Sequence, residues 1–256
     1  MKTTISLLFL LLVSTSALAD LKFYSPELSS KLNTHQLKNE LLKSALFDVI
    51  SHQSPLGYDR ARMVMFGQMY LQNDGSGYFI SDVYCNKRFG NSAGVGPRNI
   101  PKGDKINCEH TWPQSKFTNE FPKDTQKSDL HHLYPSDSKA NSIRGNMNFT
   151  DVAHDSGDLA SDNCTASKFG SSVTSSNDGF EPPLTHKGNV ARSIFYFSVR
   201  YKMTIPKNEE EVLRRWNDLD PVDQEEMAHN DAIEKAQGNR NPFIDFPGLA
   251  NDINKF

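Results

Sequence analysis

Apolar side chains return at helical spacing in several stretches of this chain. Between residues 34 and 50, Leu37, Leu41, Leu42, Ala45, Leu46 and Val49 share one face, with Asn33 or Thr34 placed to cap it, which predicts a packing helix. A second helix is expected from about Tyr58 to Leu71 on Ala61, Val64, Met65 and Met69, the methionines serving as adaptable core filler. DGSG at 74–77 ends it before the β-prone YFISDVY. From about His186 a strong helix is expected, since Val190, Ile194, Phe197 and Tyr201 recur at intervals of four, three and four. An acidic-led helix near Glu209 to Asn217 follows, then another with Asp220 as N-cap and Pro221 at its first position. Residues 85–105 and 151–183 lack a period and are rich in turn formers, so both read as long loops. The tail QGNRNPFIDFPGL reads as extended and turn-rich.

In the middle lie two short β-prone segments, KINCEHTW stopped by Pro113 and DLHHLY stopped by Pro135. SDSKANSIRGN then reads as a short helix opened by Ser136 or Asp137. The order strand, connection, strand, helix, set among packing helices and long loops, places the chain in the α+β class.

The longest clean apolar run, Leu7 to Val13, is far too short to span a bilayer. With Lys2 before it and STSALA after it, residues 1–19 read as a secretory signal peptide, and the folded chain starts near Asp20. Residues 20–256 then fit one domain. An apolar share of 37% against 23% charged residues is ordinary globular composition and excludes a disordered tail. The net charge of −3 excludes a wholesale basic coat, so any binding of a polyanion must be local. Export fits the cysteines: Cys85, Cys108 and Cys164 allow one disulfide and one free thiol, and no CxxC is present to suggest a zinc ribbon.

Chemistry concentrates between Cys108 and Phe149. Glu109 and Asn141 offer hard oxygen donors that suit a well-hydrated magnesium ion, and a neutral imidazole at His110 can accept a proton near neutral pH. Phosphodiester hydrolysis needs a deprotonated water and positive charge where negative charge grows, and that set can supply both. In a regular strand Glu109 and His110 would face opposite ways, so the strand must end or bulge there for both to serve one site. By the same alternation at most one of His131 and His132 faces the site, so they are read as structural or supporting groups. Asp129, on the face of His131, either orients a partner or satisfies a turn. Arg144 either meets phosphate or pairs with an acid.

Residues 182–208 hold Lys187, Arg192, Arg200, Lys202 and Lys207 with no acid, and 138–150 hold Lys139 and Arg144 with none. These stretches predict local contacts to a nucleic-acid backbone through Lys139, Arg144 and Arg192, the alternative being solvated helix faces.

The runs CEHTWPQS, DLHHLYPSDSKANSIRGN, FEPPLTHKGNVARSIFYFSVRY and QGNRNPFIDFP together resemble the bacterial endonuclease I family of secreted and periplasmic nucleases, within the ββα-metal group. The resemblance covers about Tyr58 to Pro247. It implies a mixed α+β fold around a ββα-metal motif, with several packing helices and long loops. It also implies sequence-independent cleavage of DNA, often of RNA too, leaving 5′-phosphates. By motif position His110 is the general base, and Glu109 and Asn141 ligate Mg2+, for which Mn2+ can substitute. Asp129 and His131 stand behind them. Cys108 becomes the odd thiol, which leaves Cys85 with Cys164 as the disulfide.

Two departures stand out. Some members carry an arginine between the two histidine segments, where residues 111–128 offer only Lys116, Lys123 and Lys127. Members also tend to have asparagine where this chain has His132. The expected protein is a monomer, secreted or periplasmic, acting on DNA and also RNA, with no membrane partner once the leader is removed. The competing readings are a zinc-dependent hydrolase and a non-catalytic nucleic-acid-binding module.

Overall fold

The computed structural model describes residues 23–157, 159 and 164–256; the signal-peptide reading of residues 1–19 lies outside them. Its axis is α6, Leu184–Tyr201, whose sequence is apolar on nearly every side from Val190 onward and is accordingly buried all round. It packs against α2 (Asn39–Ile50), α7 (Lys207–Leu219) and α9 (Pro242–Asp245). Gly188 is required for that approach, because a Cβ there would meet the Asp220 carbonyl at 2.0 Å. Leu42, Leu46, Phe195, Phe197, Val212, Trp216 and Phe243 fill this larger core.

A smaller core lies beneath the central ribbon, filled by Ala61, Phe66, Ile80, Ile106, Leu130, Leu133 and Ile233. The ribbon pairs β4 (Ile106–His110) antiparallel with β5 (Leu133–Asp137), setting Glu109 opposite Tyr134 and His110 opposite Leu133. α5, Ser138–Arg144, follows at once. Asp137 caps it by accepting the amide hydrogens of Lys139 and Ala140.

The expected strand over DLHHLY is displaced. Leu130–His132 is a 3-10 turn capped by Asp129, and the strand runs through Pro135. A two-stranded ribbon tolerates that proline, which sits opposite Cys108 while its carbonyl accepts the Val83 amide at 3.0 Å.

Other elements were expected elsewhere or not at all. The stretch before residue 34 contains α1, Pro26–Asn33, capped by Ser25 with Pro26 at its start. His35, between the two helices, and Asn39, the first residue of α2, adopt positive φ, so α2 begins later than its apolar stripe. α3 spans Tyr58–Val64 and continues as a π-helical turn over Met65–Met69. Next come β1 (Gln72–Asn73), β2 (Tyr78–Ser81) and β3 (Arg88–Phe89), paired antiparallel in that order. The expected loop over 151–183 instead carries three strands, β6 (Val152–Asp155), β7 (Lys168–Ser172) and β8 (Asp178–Glu181), paired as an antiparallel sheet. Asp223 rather than Asp220 caps α8, Gln224–Gln237, accepting the Glu226 amide at 2.8 Å. The tail holds α9 and a 3-10 turn, Pro247–Asp252.

Cys85 and Cys164 form the disulfide and Cys108 is free. Among the described residues no helix is long and apolar enough to cross a membrane.

Candidate active site

β4 stops at His110, which resolves the alternation problem: Glu109 and His110 are 2% and 5% exposed, yet both line one open cleft of about 410 Å³. Gln114, Ser115, Asn141, Arg144 and Asn146 complete its wall.

The histidine is held by a helix end. α4, Lys123–Lys127, leaves its last carbonyls without intrahelical partners, and three of them hold rings. The Thr125 carbonyl accepts from the Tyr201 hydroxyl at 3.3 Å and that of Gln126 from His132 Nε2 at 2.8 Å. The Lys127 carbonyl lies 3.1 Å from His110 Nε2. A carbonyl can only accept, so the His110 proton sits on Nε2 and Nδ1 keeps its lone pair, 3.3 Å from the Gln114 amide nitrogen. Burial, with the His132 imidazole adding to it, holds the His110 pKa well below its ordinary value, so the ring is neutral at pH 7.

Glu109 is the buried counterpart. Its Oε1 accepts from the Tyr84 hydroxyl at 2.8 Å and pairs with Arg144 Nη1 at 2.9 Å. Burial raises its pKa against the opposing pull of Arg144 and Tyr84. Arg144 also donates to the carbonyls of His110 at 3.0 Å and Thr111 at 2.6 Å, so one guanidinium fixes both the carboxylate and the strand end. The Asn141 amide nitrogen donates to Asn107 Oδ1 at 2.7 Å. Its amide oxygen is therefore the atom left to act as a ligand. Burial pushes the Cys108 thiol up to about 12, so this cleft residue is a protonated thiol and no nucleophile.

Comparison with known proteins decides the family. The endonuclease I family model matches residues 38–248. This chain belongs to the endonuclease I family. It is 31% identical over 253 residues to an extracellular ribonuclease of Bacillus amyloliquefaciens, covering 92% of this chain and 79% of the relative. An extracellular ribonuclease of Bacillus subtilis is 36% identical over 57% of this chain and 53% of its own length. An extracellular deoxyribonuclease of Aeromonas hydrophila is 27% identical over 60% of this chain and 72% of its own.

As an endonuclease I protein the chain is a nucleic-acid-hydrolysing enzyme of a metal-dependent family. The donor set fits a hard, water-rich cation: one carboxylate and one amide oxygen border the cleft. Among the described residues no three His, Cys, Asp or Glu side chains group as metal ligands, which a zinc site would need.

The remaining expectations divide. Lys139 is exposed on α5, free to meet a backbone phosphate. Arg144 is buried and bound to Glu109, the acid-pairing alternative. Arg192 is a correction: it is fully buried and fork-paired with Glu226, its Nε and Nη2 donating at 2.7 and 2.6 Å, so it cannot reach a substrate.

In the acid-free stretch 182–208 two more cations are buried like Arg192, while Lys202 and Lys207 are exposed. Lys187 pairs with Asp151 and Glu181, and Arg200 is buried and donates to Gln53. Asp129 lies in the core, accepting from Tyr196, Tyr201 and Gln237. Burial opposes its ionisation, but its imidazole neighbours and these hydrogen bonds outweigh that and lower its pKa. His131 packs on Tyr196 with Nε2 at the Asn239 carbonyl, away from the cleft, while the His132 ring stands 5.3 Å from that of His110. Sequence reasoning missed Tyr84 and Gln114. Tyr84 lies in a segment whose only signal is strand propensity, although Gln114 follows His110 by one helical turn's spacing.

Proposed function

We propose that this protein is an extracytoplasmic, sequence-independent endonuclease that hydrolyses DNA, and RNA as well, with Mg2+ held by Glu109 and Asn141 and with His110 as general base. The carrying observation is the His110 ring itself, whose Nε2 contact with the Lys127 carbonyl leaves Nδ1 basic in the cleft that Glu109 and Asn141 border. Nδ1 takes a proton from the attacking water, the water oxygen bonds to phosphorus, and the 3′-oxygen leaves, giving a 5′-phosphate. The bound cation supplies positive charge at the phosphate and the departing oxygen. Arg144 and Tyr84 keep the Glu109 carboxylate fixed, so little reorganisation accompanies the reaction.

Action on both nucleic acids is supported by relatives named as ribonucleases and as deoxyribonucleases. Export is supported by the leader-like pattern read in residues 1–19, by the disulfide, and by relatives named as extracellular or periplasmic.

The deciding experiment incubates supercoiled plasmid and a structured RNA with purified protein, in magnesium and then in EDTA. Nicking and RNA breakdown in magnesium, abolished by EDTA, are expected. A plasmid that stays supercoiled in magnesium supports a binding module instead, and activity that requires added zinc supports the zinc hydrolase.

A further inference from the structure

With Arg144 and Arg192 committed to buried carboxylates, the cation beside the histidine is Lys127. Its backbone carbonyl already holds His110, which fixes the residue next to the base. Its ammonium is held over the Tyr58 ring, 4.3 Å from the centroid, and that ring lies 5.5 Å from the His110 ring. His110 lines the cleft, so this aromatic platform and the ammonium on it stand beside a cleft residue. Arg62 stands over the same ring at 4.6 Å, but its guanidinium is paired with Asp59 at 2.5 Å. Lys127 has no carboxylate partner among the described residues, and its side chain is half-buried. A cation resting on an aromatic face is held less strongly than one hydrogen-bonded to an anion, so it can turn to a stronger partner.

We propose that Lys127 is a phosphate-binding residue, its ammonium parked over Tyr58 until a backbone phosphate of the nucleic-acid strand enters beside His110. A point charge with three rotatable donors grips phosphate oxygens without reading bases, as sequence-independent cleavage requires. The inference rests on His110 being the general base.

The test compares Lys127→Met, Lys127→Arg and, as an exposed control on α8 that lines no part of the cleft, Lys235→Met. Each keeps the backbone carbonyl that holds His110. Specificity constants on DNA are measured across a salt series. Lys127→Met is expected to lower kcat/KM at low salt about 10- to 100-fold, the worth of one charge-assisted contact. The plot of log kcat/KM against log salt should also become less steep by about 0.7 to 0.9, one phosphate contact. Lys127→Arg should restore most of both, and Lys235→Met should match the wild type.

A wild-type salt slope in Lys127→Met overturns the proposal, whether its activity is normal or lowered. If thermal melting shows that Lys127→Met misfolds, Lys127→Gln supplies the same comparison. His110→Ala run in parallel keeps the two readings apart. Full activity there refutes the general base, whereas an inactive His110→Ala beside a wild-type slope in Lys127→Met overturns the phosphate contact alone.

Discussion

The Arg144 guanidinium joins the Glu109 carboxylate to the carbonyls of His110 and Thr111, all of them buried. Replacing it by methionine leaves the carboxylate without its countercharge, a loss of about 3 to 5 kcal/mol for a buried pair. Urea unfolding of Arg144→Met should show that loss, and adding Glu109→Gln should recover part of it. Strictly additive effects would mean that the pair is not coupled. His110→Ala should behave differently. It removes the proton acceptor and not a binding contact, so turnover should fall about 10²- to 10⁴-fold while DNA affinity in calcium or EDTA stays within a few-fold. Wild-type turnover would refute the base assignment. Glu109, His110 and Asn141 were legible because rare chemical types at fixed spacing mark them, and the fold does bring them to one cleft. Tyr84 was not: it reaches Glu109 from 25 residues upstream, and no local pattern records so distant a contact.

Among the elements, those with long apolar stripes were legible. α2, α6 and α7 bury such stripes, and a period of 3.6 survives wherever one helix face meets a core. The sheet β6–β8 was read as loop because most of its side chains face solvent, with Phe180 as its fully buried anchor. α4 is too short for any period, yet its free carbonyls hold the His110 ring. The disulfide ties the segment after β2 to the approach of β7, next to Tyr84, whose carbonyl accepts from Ser167 at 2.7 Å. It closes a loop with a sequence separation of 79, for which chain entropy gives about 4 kcal/mol. Reductant, or Cys85→Ser with Cys164→Ser, should therefore lower the melting temperature by many degrees. Because Tyr84 adjoins Cys85, the magnesium concentration needed for half-maximal activity should rise with it. A melting temperature unmoved by reductant would show that the bridge adds nothing to stability.

For the molecule as a whole, net charge was legible and its arrangement was not. The acids that neutralise Lys187 and Arg192 lie outside the stretch in which those cations stand, at Asp151, Glu181 and Glu226. At Lys187 and Arg192, therefore, the basic patch read from sequence is internal ion pairs in the fold. Buried histidines carry the matching consequence for pH. Burial pushes His132 down to about 4 and His186, with Arg192 adding to the effect, to about 3. Both titrate near 6.5 when unfolded. Between these values the unfolded chain binds more protons, so the stability they contribute is complete above pH 6.5 and declines as pH falls. Each histidine gives a slope of about 1.4 kcal/mol per pH unit once the unfolded form is fully protonated. Glu209 and Glu226, raised by burial, act in the opposite sense, so the slope of the wild type alone does not isolate the histidines. His186→Leu does. The imidazole is edge-on to Tyr134 with Nε2 unpartnered, so leucine removes the titration along with an unsatisfied polar atom. Unfolding free energies from pH 7 down to about pH 4 should then decline less steeply than in the wild type, by about 1.4 kcal/mol per unit at the acid end. An identical pH slope in the two proteins would mean that His186 is protonated within the fold, and that burial does not hold it neutral.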